Sequence, residues 1–576
     1  MSLISYIKEL LTNRTAHMII GLDVGGTHTD VVLLGKEGLL KEVKVNTDHE
    51  NLFETVLEGL EKITENINSK EISRAVLSTT LATNAVVQNK LPDVGMIVCG
   101  GPGIDPELFR TNPDYICVSG SVDHRGREVS PIVPSEIEKA KNAFAARNIR
   151  NIGIVGKFSV RNPGHEQAIF EILKNDFDKI FLGHRISGNL NFPRRIATTY
   201  LNAAVHQVHQ DFFSAVKRSL EKKGLHLPIH ILKADGGTMS LESSLDHPSQ
   251  TIISGPAASV MGSIAFASDD DDCIVMDIGG TTTDMAVLVK NAPVLEPIGI
   301  RLGRYQTHIR SIHTHSIGIG GDSHVRVSED GGLLVGPERK GRAMAYGGPE
   351  PTPTDALFVL GKIKEGDKEK ARAGIQKIAD ALGKDLVVTA SLIFDTAIKH
   401  ILEEAEAFVD FINSRPVYTV HEYKEGYKVA PNNIVVLGGP AVYFGRRIEE
   451  ISRYKVGIVP KWTVANAIGS ALARTTSEVT LFADTERKIV RAPEENFQAQ
   501  VTQTYSKRDA IKKAKDLLTK KAILLGATPD DLETEVVEEL EFNMVRGFYT
   551  TGKNIRVKMQ IKPGLIQGYD PIGGRL

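Results

Sequence analysis

Cysteine is scarce: Cys99, Cys117 and Cys273 are the three in 576 residues, they lie far apart, and no CxxC spacing occurs. That excludes a disulfide framework, a thiolate zinc site and a cysteine-held iron–sulfur cluster on this chain, and it suits a reducing, cytoplasmic compartment. An excess of charge of either sign is also missing. The 69 Lys and Arg against 71 Asp and Glu leave a formal net charge of −2, so no global field draws the chain to nucleic acid or an anionic membrane. No apolar run approaches the roughly 20 residues of a membrane helix. The start, MSLISYIKELLTNRTAH, carries Lys8 and Glu9 where a signal peptide keeps its apolar stretch. Lys157 has no Walker A glycine spacing, no nucleophile elbow occurs, and no basic and aromatic stripe suits nucleic acid.

What is present is an ordinary globular composition, 41% hydrophobic and 24% charged, long enough for several cores. Leu3, Ile4, Ile7, Leu10 and Leu11 recur at helical spacing, which predicts a short amphipathic helix over 1–17 that docks on the body or on a neighbouring chain. The most informative feature is a repeat. Asp23-Val-Gly25-Gly26-Thr27-His-Thr29-Asp30 recurs as Asp277-Ile-Gly279-Gly280-Thr281-Thr282-Thr283-Asp284, each copy between two apolar, β-prone runs. Both copies read as β-hairpins with glycine turns.

The chemistry explains that composition. Consecutive glycines let backbone N–H groups approach a phosphate with no Cβ in the way, and threonine hydroxyls add donors. Asp23 and Asp277 end the first strand of each hairpin, where a carboxylate can hold a hydrated Mg²⁺ or orient a nucleophile. A late segment, Asn433-Ile-Val-Val-Leu-Gly438-Gly439-Pro440, reads as a buried strand followed by a third glycine turn. Beyond it, Ala465–Ala473 combines small residues at helical spacing, suited to close helix packing at a hinge. Two phosphate turns, an adenosine turn and a hinge helix, in that order, resemble the actin, hexokinase and sugar-kinase superfamily. The resemblance implies an α/β, two-lobed actin-like ATPase built from duplicated RNase H-like domains, which clamps ATP with Mg²⁺ between its lobes.

Several further segments narrow the branch. Ser78-Thr79-Thr80-Leu-Ala-Thr83-Asn84-Ala85, Thr198-Thr-Tyr-Leu-Asn202-Ala203, Asp235-Gly236-Gly237-Thr238-Met239, Ser254-Gly255-Pro256-Ala257 and His313-Thr-His315-Ser-Ile-Gly318-Ile-Gly320-Gly321-Asp322-Ser323 resemble, in order, motifs of the hydantoinase A/5-oxoprolinase family. The resemblance spans about residues 18 to 475. It implies ATP-dependent opening of a small cyclic amide (a hydantoin, lactam or 5-oxoproline-like substrate) through phosphorylation of the carbonyl oxygen. It also implies a possible second hydrolytic subunit, and a homo-oligomer is expected. His315 occupies the family's own histidine position and is the expected catalytic histidine. A chaperone-like or reactivating ATPase, a small-molecule kinase and a subunit of an ATP-dependent carboxylase are the alternatives.

Departures from the family pattern are specific. Asn191-Phe192-Pro193-Arg194-Arg195 lacks the acidic residue common upstream of Thr198, and Gly341-Arg-Ala-Met344-Ala345-Tyr346-Gly347 lacks the Pro and Cys of the family's stretch. The large second module fused in 5-oxoprolinases is not expected within these 576 residues. His308, His313, His315 and His324 crowd one segment; His313 and His315, alternating on a strand with Asp322 nearby, could form a metal site, or the histidines are packed ones. Asp123-His124-Arg125-Gly126-Arg127-Glu128 reads as a charged surface turn that could contact an anion. The expected organisation is therefore the helix 1–17, an N-terminal region 18–184 with the first turn, a region 185–475 with the second phosphate and adenosine turns, and a small α/β appendage 476–576. The appendage shows a helical pattern from Ser506 to Leu525, two β-prone stretches and no visible site chemistry.

Overall fold

The structure, a computed structural model, describes residues 17–25, 28–48, 51–264, 266–267, 271–419, 423–528 and 532–569. The helix expected over 1–17 lies outside the described residues, apart from His17, and so do Gly26 and Thr27 of the first glycine turn. The chain divides into two compact units. Unit 1 comprises Met1–Gly255, Glu296–Ser311 and Ser470–Gly573; unit 2 comprises Pro256–Leu295, Ile312–Gly469 and Gly574–Leu576.

Unit 1 is organised by a sheet of six strands: β1 (Met18–Val24), β2 (His28–Gly35), β3 (Gly38–Asn46), β4 (Ile72–Thr79), β5 (Ile229–Leu232) and β6 (Thr238–Ser240), in the spatial order β6-β5-β4-β1-β2-β3. β1 and β2 form an antiparallel hairpin with Asp23 opposite Asp30. β4 runs parallel to β1 with Ser78 beside Asp23, and β5 runs parallel to β4. The central strands are near-continuous apolar runs because both faces are covered. Leu60 and Ile63 of helix α1 (Leu52–Thr64), and Phe212, Phe213 and Leu220 of helix α2 (Phe192–Lys222), fill the core with Ile20, Leu22, Leu33 and Leu77. Asn191, at the departure from the family pattern, caps α2 by accepting the Arg194 N–H. Arg195 is fully buried and donates to the carbonyls of Asn189, Gly156 and Lys157.

Unit 2 repeats the plan. Helix α3 (Ser254–Ile264) leads to β7 (Cys273–Ile278), β8 (Thr283–Val289), β9 (Ala292–Pro293), β10 (Thr314–Ile317), β11 (Asn433–Leu437) and β12 (Lys455–Ile458). Their order is β9-β8-β7-β11-β12, with β10 also pairing β8. β7 and β8 form the antiparallel hairpin with Asp277 opposite Asp284, and β11 is parallel to β7 with Leu437 beside Asp277. An antiparallel pair, then two parallel strands on the far side of the first, is thus built twice; the repeat predicts the two hairpins. Helices α4 (Leu386–Asn413) and α5 (Ala441–Ile451) cover this sheet, with Ile393, Ile401, Phe408 and Phe444 in its core. α3 also lies close to helix α6 (Ala465–Leu472): a Cβ on Gly469 would sit 2.2 Å from the Gly262 nitrogen.

The last part of unit 1 is a five-stranded sheet of β13 (Glu478–Asp484), β14 (Ile489–Ala492), β15 (Phe497–Gln500), β16 (Thr534–Arg546) and β17 (Tyr549–Ile561), ordered β15-β14-β13-β17-β16. Helix α7 (Lys507–Leu524) opens with a Ser506/Asp509 capping box and packs with Ala510, Ala514, Leu518 and Ala522 buried. Four-residue spacing of mostly small residues keeps one narrow stripe of the helix against this core.

Candidate functional site

The second glycine turn is held from both sides by residues of unit 2. The Gly279 N–H closes it onto the Thr282 carbonyl at 2.9 Å, while the Gly321 and Asp322 N–H groups take the carbonyls of Gly279 and Gly280 at 2.9 and 2.7 Å. Among the described residues no backbone carbonyl accepts from the Gly280 or Thr281 N–H. The carbonyls are therefore tied back and the donors left over, which is the polarity an anion needs. Space is equally specific: a Cβ on Gly320 would lie 2.4 Å from the Gly279 carbonyl oxygen, and one on Gly280 2.8 Å from Asp322 Oδ2. Thr283 Oγ1 donates to the Ile319 carbonyl at 2.7 Å, fixing the start of β8, whereas Thr281 is exposed.

Asp277 ends β7 beneath this turn. Burial pushes its carboxyl up to about 6; a hydrogen bond from Ser259 Oγ at 2.6 Å opposes that rise and the Asp284 charge adds to it. Gly438, at φ +102°, brings the third glycine turn against the same point, where a Cβ would meet the Ile278 carbonyl oxygen at 2.2 Å and Asp277 Oδ1 at 2.8 Å. Gly439 has open space around its Cβ position, and Pro440 precedes α5 as its N-cap. Asp277, Gly279–Thr283 and Gly438–Pro440 are thus brought together.

In unit 1 the equivalent hydrogen bond runs from the Gly25 N–H to the His28 carbonyl at 3.1 Å. Asp23 is buried at the end of β1. Thr29 shares a hydrogen bond with Thr47 at 3.0 Å, and Asp30 pairs with Lys44 at 2.7 Å. Burial raises both carboxyls that face these aspartates; Lys44 opposes the rise at Asp30, and the Ser316 hydroxyl opposes it at Asp284. Next to Asp23, Thr79 and Thr80 occupy the place of Gly438 and Gly439. The Thr79 carbonyl accepts from Ser254 Oγ at 2.9 Å, and Thr83 Oγ1 accepts from the Ile253 N–H at 2.7 Å.

His315 is not brought to Asp277. Directly opposed residues of adjacent strands share a face, so Asp277, Asp284 and Ser316 lie on one side of the sheet and Met276, Met285 and His315 on the other. There His315 stacks on Phe408 and its Nε2 lies 3.0 Å from Glu404 Oε2, with both side chains 38% exposed. His313 packs edge-on against Phe408 and Phe411, and burial pushes its imidazole down to about 4. Asp322 pairs with Arg339 at 2.9 Å. Among the described residues no group of three His, Cys, Asp or Glu side chains forms a metal site.

A cavity of about 170 Å³ lies within unit 1, lined by Thr198, Lys233, Asp235, His247, His308 and Glu494, among others. Lys233 follows β5, whose register places it at the same carboxyl edge of the sheet as Asp23, where open α/β sheets bind ligands. His308 Nδ1 is 2.9 Å from Ser187 Oγ, but its Nε2, His247 Nδ1 and Ser477 Oγ are buried without a partner. Burial pushes His308 down to about 3 and His247 to about 4, so both imidazoles are neutral. Burial likewise pushes Glu494 up to about 7. The cavity offers these neutral groups beside charged ones, among them the Lys233–Asp235 ion pair, to a small polar molecule. Neither Ser259, Glu404 nor Glu494 was marked by the repeat or the motifs.

Comparison with known proteins gives the same frame. The pattern of the hydantoinase/oxoprolinase N-terminal region matches residues 19–177, and that of hydantoinase/oxoprolinase matches 195–479. The caprolactamase subunit alpha of Pseudomonas jessenii is 24% identical over 482 residues, 77% of this chain and 68% of that one. The acetophenone carboxylase gamma subunit of Aromatoleum aromaticum is 27% identical over 445 residues, 66% of this chain and 60% of that one. The crystal structure of ATP-dependent caprolactamase from P. jessenii matches with a TM-score of 0.69 and 19% identity, covering 96% of this chain and 88% of that one. This likeness is one of fold. No helix among the described residues is long and apolar enough to cross a membrane.

Proposed function

The chain belongs to the hydantoinase/oxoprolinase family, and from that premise we propose that it is an ATP-dependent enzyme that opens a cyclic amide by phosphorylating its carbonyl oxygen. The observation that carries this reading is the convergence of Asp277, the second glycine turn and Gly438–Pro440. The Gly280 and Thr281 N–H groups and the Thr281 and Thr282 hydroxyls receive phosphate oxygens, and the Gly438–Pro440 turn seats adenosine. Mg²⁺ fits the donor set: Asp277 and Asp284 are hard oxygen donors on one face of the hairpin, and Asp277 is the residue that holds it. When bound, the ion neutralises phosphate charge. Asp23, whose neighbour Asp30 already has Lys44, orients a water or the attacking oxygen. The turn of Gly25, Gly26, Thr27 and Thr29 is the corresponding phosphate element of unit 1.

An unstrained amide resists water because its nitrogen lone pair delocalises into the carbonyl. Transfer of the γ-phosphoryl to the carbonyl oxygen breaks the bond to ADP, forms a carbon–oxygen–phosphorus linkage and turns that oxygen into a leaving group. Water then adds at carbon, the ring nitrogen takes a proton as the carbon–nitrogen bond breaks, and a second water releases phosphate and the carboxylate. The sheet separates His315 and its partner Glu404 from Asp277 and the phosphate turn, so the proton transfers of our reading fall to other groups. The amide occupies the cavity beside Lys233. Two family-like segments away from the glycine turns supply its lining, Thr198 from one and Asp235 and Met239 from the other. A reactivating ATPase has no use for that arrangement.

The caprolactamase and acetophenone carboxylase relatives are named as subunits, which supports a second polypeptide carrying the hydrolytic half. The carboxylase relative also supports a second reading, in which the phosphorylated carbonyl is carboxylated instead. Phosphate release by the purified protein, measured with hydantoin, 5-oxoproline and caprolactam and with ketones plus bicarbonate, separates them. Turnover that depends on a cyclic amide and yields ring-opened product supports the first. Turnover indifferent to every cyclic amide and stimulated by a partner protein overturns it.

A further inference from the structure

A second cavity of unit 1, about 470 Å³, lies where the Asp123–Arg127 turn and the Phe158–Arg161 segment meet the C-terminal sheet. Its charge is one-sided. Arg125, Arg161, Arg487 and Arg491 line it, against the single carboxylate of Asp484. Nearby arginines are paired: Arg127 lies 2.7 Å from Asp123, and Arg556 3.2 Å from Glu538. Among the described residues, none of the four lining guanidiniums has a carboxylate within 4.0 Å. They are fixed in other ways. Arg487 donates to the Arg125 carbonyl and Arg491 to the Arg161 carbonyl. The Arg161 guanidinium stands 4.6 Å over the Phe482 ring, with that of Arg556 5.4 Å from the same ring. The Nε atoms of Arg161 and Arg491 are buried without a partner. Burial depresses both groups, and the neighbouring positive charges of Arg556 and Arg487 depress them further.

Like charges gathered and partly desolvated are unfavourable unless something of opposite sign joins them. Four guanidiniums against one carboxylate call for about three negative charges, delivered in planar, bidentate form. Leu190, Phe542 and Met544 give the same cavity an apolar wall. We propose that this pocket binds a small organic polyanion, carrying phosphate or several carboxylates, and that the bound anion fastens the C-terminal sheet to the Asp123–Arg127 turn. The C-terminal sheet, which shows no site chemistry by itself, supplies Arg487 and Arg491. No residue of the pocket belongs to the glycine turns, so the inference stands apart from the proposed activity.

The test is calorimetric titration of the full chain with citrate and with pyrophosphate at constant ionic strength, alongside thermal melting. Wild type is expected to bind at least one and to melt higher in its presence. Citrate alone marks a carboxylate site and pyrophosphate alone a phosphate site. Arg491→Gln and Arg487→Gln, which keep part of the stem and a donor but remove the charge, are expected to weaken binding about tenfold or more each. Their unliganded melting temperature is expected not to fall, because repulsion is relieved. Gly280→Ala, in the second glycine turn, is expected to leave this binding unchanged. Absence of binding by both anions, or binding lost in Gly280→Ala and kept in both arginine variants, overturns the proposal.

Discussion

Ser259 donates its hydroxyl to Asp277 Oδ2 at 2.6 Å, from the first turns of α3 to the end of β7. It opposes the burial that raises the carboxyl to about 6. If the carboxylate is the working form, kcat/KM for ATP, which reports the free enzyme, has an acid limb near that value. Ser259→Ala removes the stabilising bond, so the limb moves to higher pH while turnover at pH 8.5 is largely kept. Asp277→Asn abolishes the limb and lowers turnover about 100-fold or more. Rates against pH for the three proteins check this; an unmoved limb in Ser259→Ala removes Asp277 as its source.

Gly438 and Gly439 are adjacent but differ in what they tolerate. A Cβ at Gly438 meets the Ile278 carbonyl at 2.2 Å on a backbone of φ +102°, whereas Gly439 has nothing within 4 Å. Gly438→Ala is expected to cost about 2 kcal/mol or more of stability. Gly439→Ala is expected to change stability by less than about 0.5 kcal/mol and still raise the KM for ATP, since the added methyl projects where adenosine is proposed to sit. Denaturant melts and ATP kinetics read the two effects separately.

The parts legible in the sequence are those whose causes are local. A strand, a two-glycine turn and a returning strand fit within some twenty residues, so Asp23 and Asp277 could be placed at strand ends from the pattern alone. The alternation His313, His315 correctly puts both rings on one face. It does not reveal what lies opposite, and that is Phe408 and Glu404 of α4, about ninety residues away in the chain. Ser259 is hidden for the same reason: nothing in a helical serine announces which carboxylate it will meet. The arginine pocket is the extreme case, because Arg125 and Arg161 meet Arg487 and Arg491 through a topology that charge patterning cannot show.

The proposed division of labour separates two histidines. His308 lines the cavity beside Lys233 with a partnerless Nε2, so His308→Ala should raise the KM for the amide with little change in that for ATP. His315, paired with Glu404 on the face away from Asp277, should behave differently. His315→Ala and Glu404→Gln are expected to leave kcat and both KM values near wild type, because the sheet lies between them and Asp277. Steady-state kinetics with both substrates varied decide this; a large fall in kcat for His315→Ala brings the dyad into the chemistry.

Glu494 provides a stability prediction that needs no substrate. Its carboxyl is raised to about 7, first by burial and then by the charges of Glu478 and Glu495, against the pull of Lys521 and a hydrogen bond from the Gly188 N–H. A folded-state value above the unfolded one means the native chain binds this proton more tightly, so stability falls as pH rises from the ordinary carboxylate range through about 7 and is level beyond it. Glu494→Gln keeps an acceptor for Gly188 and carries no charge. Its advantage over wild type is therefore expected to be small at pH 5, to grow with pH, and to reach about 2 kcal/mol at pH 8. Denaturant unfolding at the two pH values measures it. An advantage independent of pH assigns the effect to packing, and no advantage at pH 8 means the carboxylate is fully compensated where it sits.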